Sequence, residues 1–320
     1  MSLLSVASYI VLFFWVAKVV WFLFKTFAGF FTAPIENLVE FSGGKWAFVT
    51  GATDGLGKGY AIELAKRGFN VVIVGRNAKK LQKTEMNITP SVHVQSLLFD
   101  FTDSKLENYQ QKLQPTIDRH DIGVLVNNVG QMATHNYYDA QTVREARDVT
   151  VVNTLPLVLL THFVLPQMLH RKRGVIVNVS SSTAEHTSSA PGEAVYMSTK
   201  KFVDLFTTSL QGEYRDQGLC IQLVHPFRVQ SQMSRGFPGS SSVSVPTATQ
   251  FAENAVRQIG LAESTFAIWA HAVQAVRSVL FLNLPIPMKI YDRMAMKSAL
   301  EMGDAKRLNE KHWKEENDSN

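Results

Sequence analysis

Trp46-Ala47-Phe48-Val49-Thr50-Gly51-Ala52-Thr53-Asp54-Gly55-Leu56-Gly57 runs from a strand-type stretch into a glycine-rich turn. A helical pattern follows from about Lys58 to Arg67 and stops at Gly68, after which Asn70-Val-Val-Ile-Val-Gly75 reads as a second strand. Strand, turn, helix and parallel strand within ~30 residues form the unit that binds a dinucleotide. Glycines let the backbone approach a pyrophosphate, whose charge is met by the amides and dipole of the helix N-terminus. The spacing is G-x-x-x-G-x-G, and it assigns Gly51, Thr53, Asp54, Gly55, Leu56 and Gly57 to the cofactor turn.

The end of the second strand bears on which cofactor. A site for NAD usually carries Asp or Glu there, accepting hydrogen bonds from the ribose 2′-hydroxyl. This chain has Gly75-Arg76, with Lys79 and Lys80 close behind. A guanidinium with no carboxylate beside it suits a 2′-phosphate, so NADP(H) is the expected cofactor.

Further along, Tyr196-Met-Ser-Thr-Lys200 places a phenol and an ammonium four residues apart, on one face of a helix. There the lysine charge can lower the phenol pKa, so that the phenol exchanges a proton with a carbonyl or alcohol oxygen near neutral pH.

Short apolar runs at 46–50, 70–75, 92–99, 122–126, 174–180 and 219–224 alternate with helical stretches, which argues an α/β fold with a parallel, doubly wound sheet. Hydrophobic residues make up 46% of the chain, enough for one domain of roughly 220 residues with accessory segments. The single cysteine, Cys220, cannot form an internal disulfide and reads as a core residue. His93, His120, His135, His162, His170 and His186 are scattered, so no metal site is expected. The net charge of +5 is spread along the chain, which excludes a nucleic-acid stripe and fits a membrane surface or phosphorylated substrates.

Thr50-Gly-Ala-Thr-Asp-Gly-Leu-Gly57, Asp100, Asn127-Asn-Val-Gly130, Asn153, Asn178-Val-Ser-Ser181 and Tyr196-x-x-x-Lys200 fall in the order found in the short-chain dehydrogenase/reductase family, which this chain resembles over about residues 45 to 235. Lys45-Trp-Ala-Phe-Val-Thr-Gly-Ala-Thr-Asp54, Ile122-Gly-Val-Leu-Val-Asn-Asn-Val-Gly130 and Lys201-Phe-Val-Asp204 look most like its membrane-bound branch, which holds 17-beta-hydroxysteroid dehydrogenases types 3 and 12 and very-long-chain 3-oxoacyl-CoA reductases. The resemblance implies a Rossmann-type fold and an NADPH-dependent reduction of a carbonyl on a large lipid, a 17-oxosteroid or a long-chain 3-oxoacyl-CoA. Tyr196 would be the general acid, and Lys200 would lower its pKa and hold the nicotinamide ribose. Ser181 would hydrogen-bond the substrate oxygen and Asn153 would order the water that resupplies the proton. Asp100 would contact the adenine, Asn127 would steady the sheet beside the cofactor, and Val229 and Ser231, after Pro226, would hold the carboxamide.

Three features depart from the family pattern. Ser181 lies two residues further from the tyrosine than usual, so strict counting selects Thr183; the strand Val175-Ile-Val-Asn-Val-Ser-Ser favours Ser181, with Ser182 next. Pro156 removes a backbone donor inside the helix of Asn153 and should kink it. Arg228 stands where relatives tend to be apolar and either meets an acidic group on the substrate or points to water; with Arg235 it could offer cationic contacts for CoA phosphates.

From Leu3 to Phe24 the chain is apolar with one charge, Lys18, long enough to span ~30 Å of hydrocarbon. Too long for a signal peptide and without a basic leader, it reads as an uncleaved anchor, and Lys25 places the catalytic domain on the cytosolic side of the endoplasmic reticulum membrane. The segment from Phe266 to Leu282, apolar but for Arg277, reads as a membrane-lying or re-entrant helix, with a dimer-packing helix as the alternative. The expected organisation is an anchor at 1–25, a linker at 26–44, the NADP-binding catalytic domain at 45–240, a substrate loop and membrane-associated helices at 241–304, and a charged tail at 305–320. A homodimer through the helices of Asn153 and Tyr196 is open. A second function reading is a membrane-tethered NADPH-binding scaffold or sensor without catalysis, for which the lengthened stretch between Ser181 and Tyr196 is the support.

Overall fold

The computed structural model describes residues 3–182, 184, 189–234, 244–282 and 287–318. Seven parallel strands form one sheet: β1 (Trp46–Thr50), β2 (Asn70–Gly75), β3 (Val94–Leu98), β4 (Ile122–Asn127), β5 (Gly174–Val179), β6 (Leu219–Val224) and β7 (Ser264–Thr265). Their spatial order is β3-β2-β1-β4-β5-β6-β7. Because β2 lies on one side of β1 and β4 on the other, the winding reverses there and opens a crevice at the carboxyl ends of these strands.

The central strands are buried on both faces, which is why they read as unbroken apolar runs and not as alternating ones. On one face Val49, Ile73 and Val126 pack against α3 (Gly55–Lys66) and α9 (Ala248–Arg257) through Tyr60, Leu64, Phe251 and Val256. On the other, Phe48, Val72 and Leu125 meet α5 (Leu106–Lys112), α6 (Gln114–Arg119) and α7 (Val143–Arg171), with Leu210 of α8 (Ala194–Glu213) completing the layer. A short helix, α2 (Leu38–Ser42), precedes β1, and the remaining sheet helix, α4 (Ala78–Glu85), follows β2 and is capped by Asn77.

Boundaries differ from the sequence reading where side-chain chemistry overrides periodicity. Helix α3 begins at Gly55, not near Lys58, because the Asp54 carboxylate accepts the Gly55 N–H at 2.8 Å and opens the helix there. β7 has two residues, too few to show a period. Pro156 and Pro166 both lie inside α7, which stays one helix across them.

The N-terminal helix α1 (Leu3–Phe31) continues past Lys25 into the stretch expected as linker. From Ser8 to Phe31 its mean hydropathy is 1.9 and none of its most apolar window is buried, so it is long and apolar enough to cross a membrane. Its last turn is different: the rings of Phe27, Phe30 and Phe31 lie 4.8, 5.0 and 5.5 Å from that of Trp269. Trp269 opens α10 (Trp269–Leu282), whose 14 residues reach ~21 Å, short of a ~30 Å bilayer core. Ala272 and Ala275 of α10 are buried with Phe266 against Phe27, Phe30 and Phe227, while Val273 and Leu280 face outward. Helix α11 (Met288–Asp318) carries the chain on through most of the expected tail.

Candidate active site

A cleft of about 990 Å³ opens at the carboxyl ends of the strands. One end is built by the turn after β1. Gly51 and Gly55 take left-handed backbone angles, φ 63° and 53°. A Cβ on Gly57 would lie 2.4 Å from the Gly51 carbonyl oxygen, so only glycine lets α3 pack this closely on its own turn. Gly51, Thr53, Asp54, Gly55 and Leu56 line the cleft, as do Arg76, Asp100, Val229 and Ser231. Gly57 stands behind this wall as the packing residue. The Asp54 carboxylate also accepts the Gln232 N–H at 3.2 Å, tying the turn to the segment after β6, and Lys80 Nζ donates to Gln232 Oε1 at 2.5 Å.

Asn127 is not on the cleft wall. Its amide donates to Thr161 Oγ1 at 3.1 Å and Asn178 Oδ1 at 2.9 Å, joining β4, β5 and α7 in a buried network. Its neighbour Asn128 is the one that reaches the cleft, donating to the carbonyl of Thr50 at 2.9 Å.

The other end is built by α8, which places Tyr196 and Lys200 on its buried face, 7% and 5% exposed. Lys200 Nζ donates to the Val179 carbonyl at 3.0 Å and lies 5.9 Å from the Tyr196 ring centroid. Burial lowers its pKa to about 8, with the nearby Asp204 charge opposing the fall. The phenol behaves otherwise than the sequence reading expects. Burial raises the Tyr196 pKa well above the ordinary phenol value and the Glu193 charge adds to the rise, while a hydrogen bond with Ser181 pulls it back. Desolvation of the phenolate is the largest of these causes.

Of the two hydroxyl candidates among the described residues, Ser181 and Ser182, Ser181 is hydrogen-bonded to the Tyr196 side chain. Ser182, 2% exposed, also borders the cleft, its backbone N–H donating to the Pro226 carbonyl. Thr183 lies outside the described residues, as do His186, Arg235 and much of the expected loop at 240–246. Asn153 is fully engaged from behind: its Oδ1 accepts the Gln131 N–H at 2.7 Å, and its Nδ2 donates to the Gln131 carbonyl at 3.0 Å and Thr199 Oγ1 at 2.9 Å. It thereby sets the path of the Gly130–Gln131 backbone, which lines the cleft.

Sequence reasoning missed Met132, His135, Glu193, Gln274 and Met302, which also line the cleft. Glu193 was readable, being one helical turn ahead of Tyr196; the others come from the loop after β4 and from α10 and α11, whose return to the site no local pattern encodes.

The residues present suit a dinucleotide. The glycine turn and the α3 N-terminus line the cleft together with Arg76, Asp100 and Lys200. The family description short chain dehydrogenase matches residues 45–239. The very-long-chain 3-oxooacyl-coA reductase let-767 of Caenorhabditis briggsae is 40% identical over 250 residues, 76% of this chain and 77% of its own. The human inactive hydroxysteroid dehydrogenase-like protein 1 is 36% identical over 236 residues, 72% of this chain and 70% of its own. Among solved structures, a short-chain dehydrogenase from Sphingobium yanoikuyae in complex with NADPH shares the fold with a TM-score of 0.61 and 24% identity, covering 75% of this chain and 96% of that one. By its sequence match and its parallel sheet, the chain belongs to the short chain dehydrogenase family.

Proposed function

We propose that this protein is an NADPH-dependent reductase of a carbonyl on a large hydrophobic substrate, a 17-oxosteroid or a long-chain 3-oxoacyl-CoA. The observation that carries the reading is the meeting of Tyr196, Lys200 and Ser181 in one cleft with the glycine turn. Bound there, the reduced nicotinamide would supply the hydride. Tyr196 Oη gives its proton to the carbonyl oxygen as the carbonyl carbon becomes tetrahedral, and Ser181 hydrogen-bonds the same oxygen. Lys200, charged below about pH 8, stabilises the phenolate left behind and holds the ribose hydroxyls. Asn153 fixes the Gln131 backbone and, in this reading, the water from which the phenolate regains its proton. Arg76 and Lys80 favour NADPH over NADH, and the cofactor in the solved relative agrees with that choice.

The reductase named for the let-767 relative supports the acyl-CoA arm, and the hydroxysteroid name of the human relative supports the steroid arm. α1 anchors the protein in the endoplasmic reticulum membrane with the catalytic domain in the cytosol, so that a hydrophobic substrate enters from the bilayer. Exposed Phe202 and Leu205 on α8 supply the apolar face of a homodimer.

The second reading, a tethered NADPH-binding scaffold without catalysis, is favoured by the inactive designation of the human relative. One assay separates them: NADPH oxidation by the full chain in detergent, offered a long-chain 3-oxoacyl-CoA and a 17-oxosteroid side by side. Tyr196→Phe is expected to cut turnover at least ~100-fold and leave NADPH binding within about twofold. Turnover that survives in Tyr196→Phe sinks the assignment of the acid; NADPH binding with neither carbonyl reduced moves the protein to the second reading.

A further inference from the structure

The substrate half of the cleft holds an acid–base pair that the proton transfer above does not use. His135 is 4% exposed, and its Nε2 lies 2.5 Å from Glu193 Oε1. Both side chains line the cleft with Tyr196. Glu193 is the N-cap residue of α8, yet its carboxylate makes no cap hydrogen bond and turns instead to the histidine. Three residues ahead of Tyr196, it stands on the same helix face as the phenol.

The pair is braced from two further sides. The Asn136 N–H donates to the Gly192 carbonyl at 3.1 Å, joining the loop after β4 to the approach to α8. Helix α11 closes over both. A Cβ on Gly303 would come 2.4 Å from the His135 carbonyl oxygen, and one on Gly192 would come 2.5 Å from the Ala299 Cβ. Ser189 Oγ donates to Asp292 Oδ1 at 2.9 Å, fixing the start of the same helix. Glu193 and the Gly192 before it are therefore held by the loop after β4 and by α11, at a position from which the Glu193 charge opposes ionisation of the phenol.

We propose that Glu193, braced by His135, is a positioning residue that keeps Tyr196 protonated and so widens upward the pH range over which this site donates a proton. The proposal rests on the reading of Tyr196 as the general acid. The charged and titratable groups that line the cleft are Glu193 and Lys200 from α8, His135 from the loop after β4, Arg228 from the segment after β6, Lys306 from α11, and Asp54, Arg76, Lys80 and Asp100 by the glycine turn and the ends of β2 and β3. Of the acids among them, Glu193 is the one whose charge opposes ionisation of the phenol, so it is the counterweight to Lys200. When the phenol O–H bond breaks and the new O–H bond forms on the substrate oxygen, the phenolate appears between these two charges.

The test titrates Tyr196 in the full chain in detergent with NADP⁺ bound and no substrate. Tyrosinate absorbance is followed against pH, and the Tyr196 signal is taken as the difference from Tyr196→Phe. Glu193→Gln is expected to lower the pH of ionisation by about 0.5 to 1 unit, roughly a three- to tenfold change in proton affinity. Glu193→Asp should restore most of it, which lost packing alone would not do, and His135→Gln should give a smaller shift in the same direction. In turnover, the alkaline limb of reduction should move down by the same amount in Glu193→Gln. A Tyr196 ionisation unchanged in Glu193→Gln overturns the proposal; should that variant not fold, an unchanged ionisation in His135→Gln does so. Because the titration needs no turnover, a protein that reduces no carbonyl yet shows the shift would lose the functional reading and keep this one.

Discussion

At the residue scale, the site is a set of buried groups held against their preference for water. Lys200 shows the cost most directly. Folded, it releases its proton near pH 8, against 10.5 as the ordinary value. Below pH 8 it is charged in both states, and holding that charge in the folded site costs on the order of 3 kcal/mol relative to the unfolded chain. Between pH 8 and 10.5 the unfolded chain binds more protons than the folded one, so this cost shrinks as pH rises. Lys200→Met is therefore expected to abolish turnover and yet melt at least as high as the parent at pH 7, with any gain fading by pH 10.5. Thermal melting across that range checks it; a gain that grows with pH would contradict the sign.

At the scale of the element, α3 and its turn decide whether the cofactor can be held. The carbonyl of Gly51 and the amide of Asn128 both stand where a Gly57 side chain would go, each 2.4 Å from its Cβ. Neither can swing away, because Asn128 is tied to the Thr50 carbonyl and Gly51 is backbone. Gly57→Val should push α3 off the turn and weaken NADPH binding by at least ~tenfold, about 1.4 kcal/mol. Fluorescence titration with NADPH reads this directly, and unchanged affinity would mean that the turn can reshape. The need for glycine at 57 was legible in the spacing of the turn. The start of α3 was not, since it depends on how the Asp54 side chain folds back onto Gly55.

At the scale of the whole molecule, the accessory helices are tied to the domain at few places. The exposed part of α1 leaves the fold before Phe27, whereas Phe27, Phe30 and Phe31 pack against one side of Trp269, whose other side stays open. Removing residues 1–25 should shift the protein from membrane pellet towards the supernatant while NADPH binding stays. Removing 1–31 should lower the melting temperature by several degrees as well, because it strips the rings from α10. Sedimentation with membranes and thermal melting of the two truncations distinguish anchoring from packing.

What the sequence by itself determined is local: the strands, the glycine turn, the Tyr196–Lys200 pair and the apolar N-terminal run. Each is written in residue type and short spacing, where hydrogen-bond geometry and side-chain direction repeat every two or every 3.6 residues. Tertiary structure alone decided the rest. It put Asn128, not Asn127, on the cleft wall, engaged Asn153 with the Gln131 backbone, and brought His135, Glu193 and α11 around the phenol. It also reversed the expected direction of the Tyr196 shift, since desolvation is set by everything packed around a group and not by its neighbour four residues on.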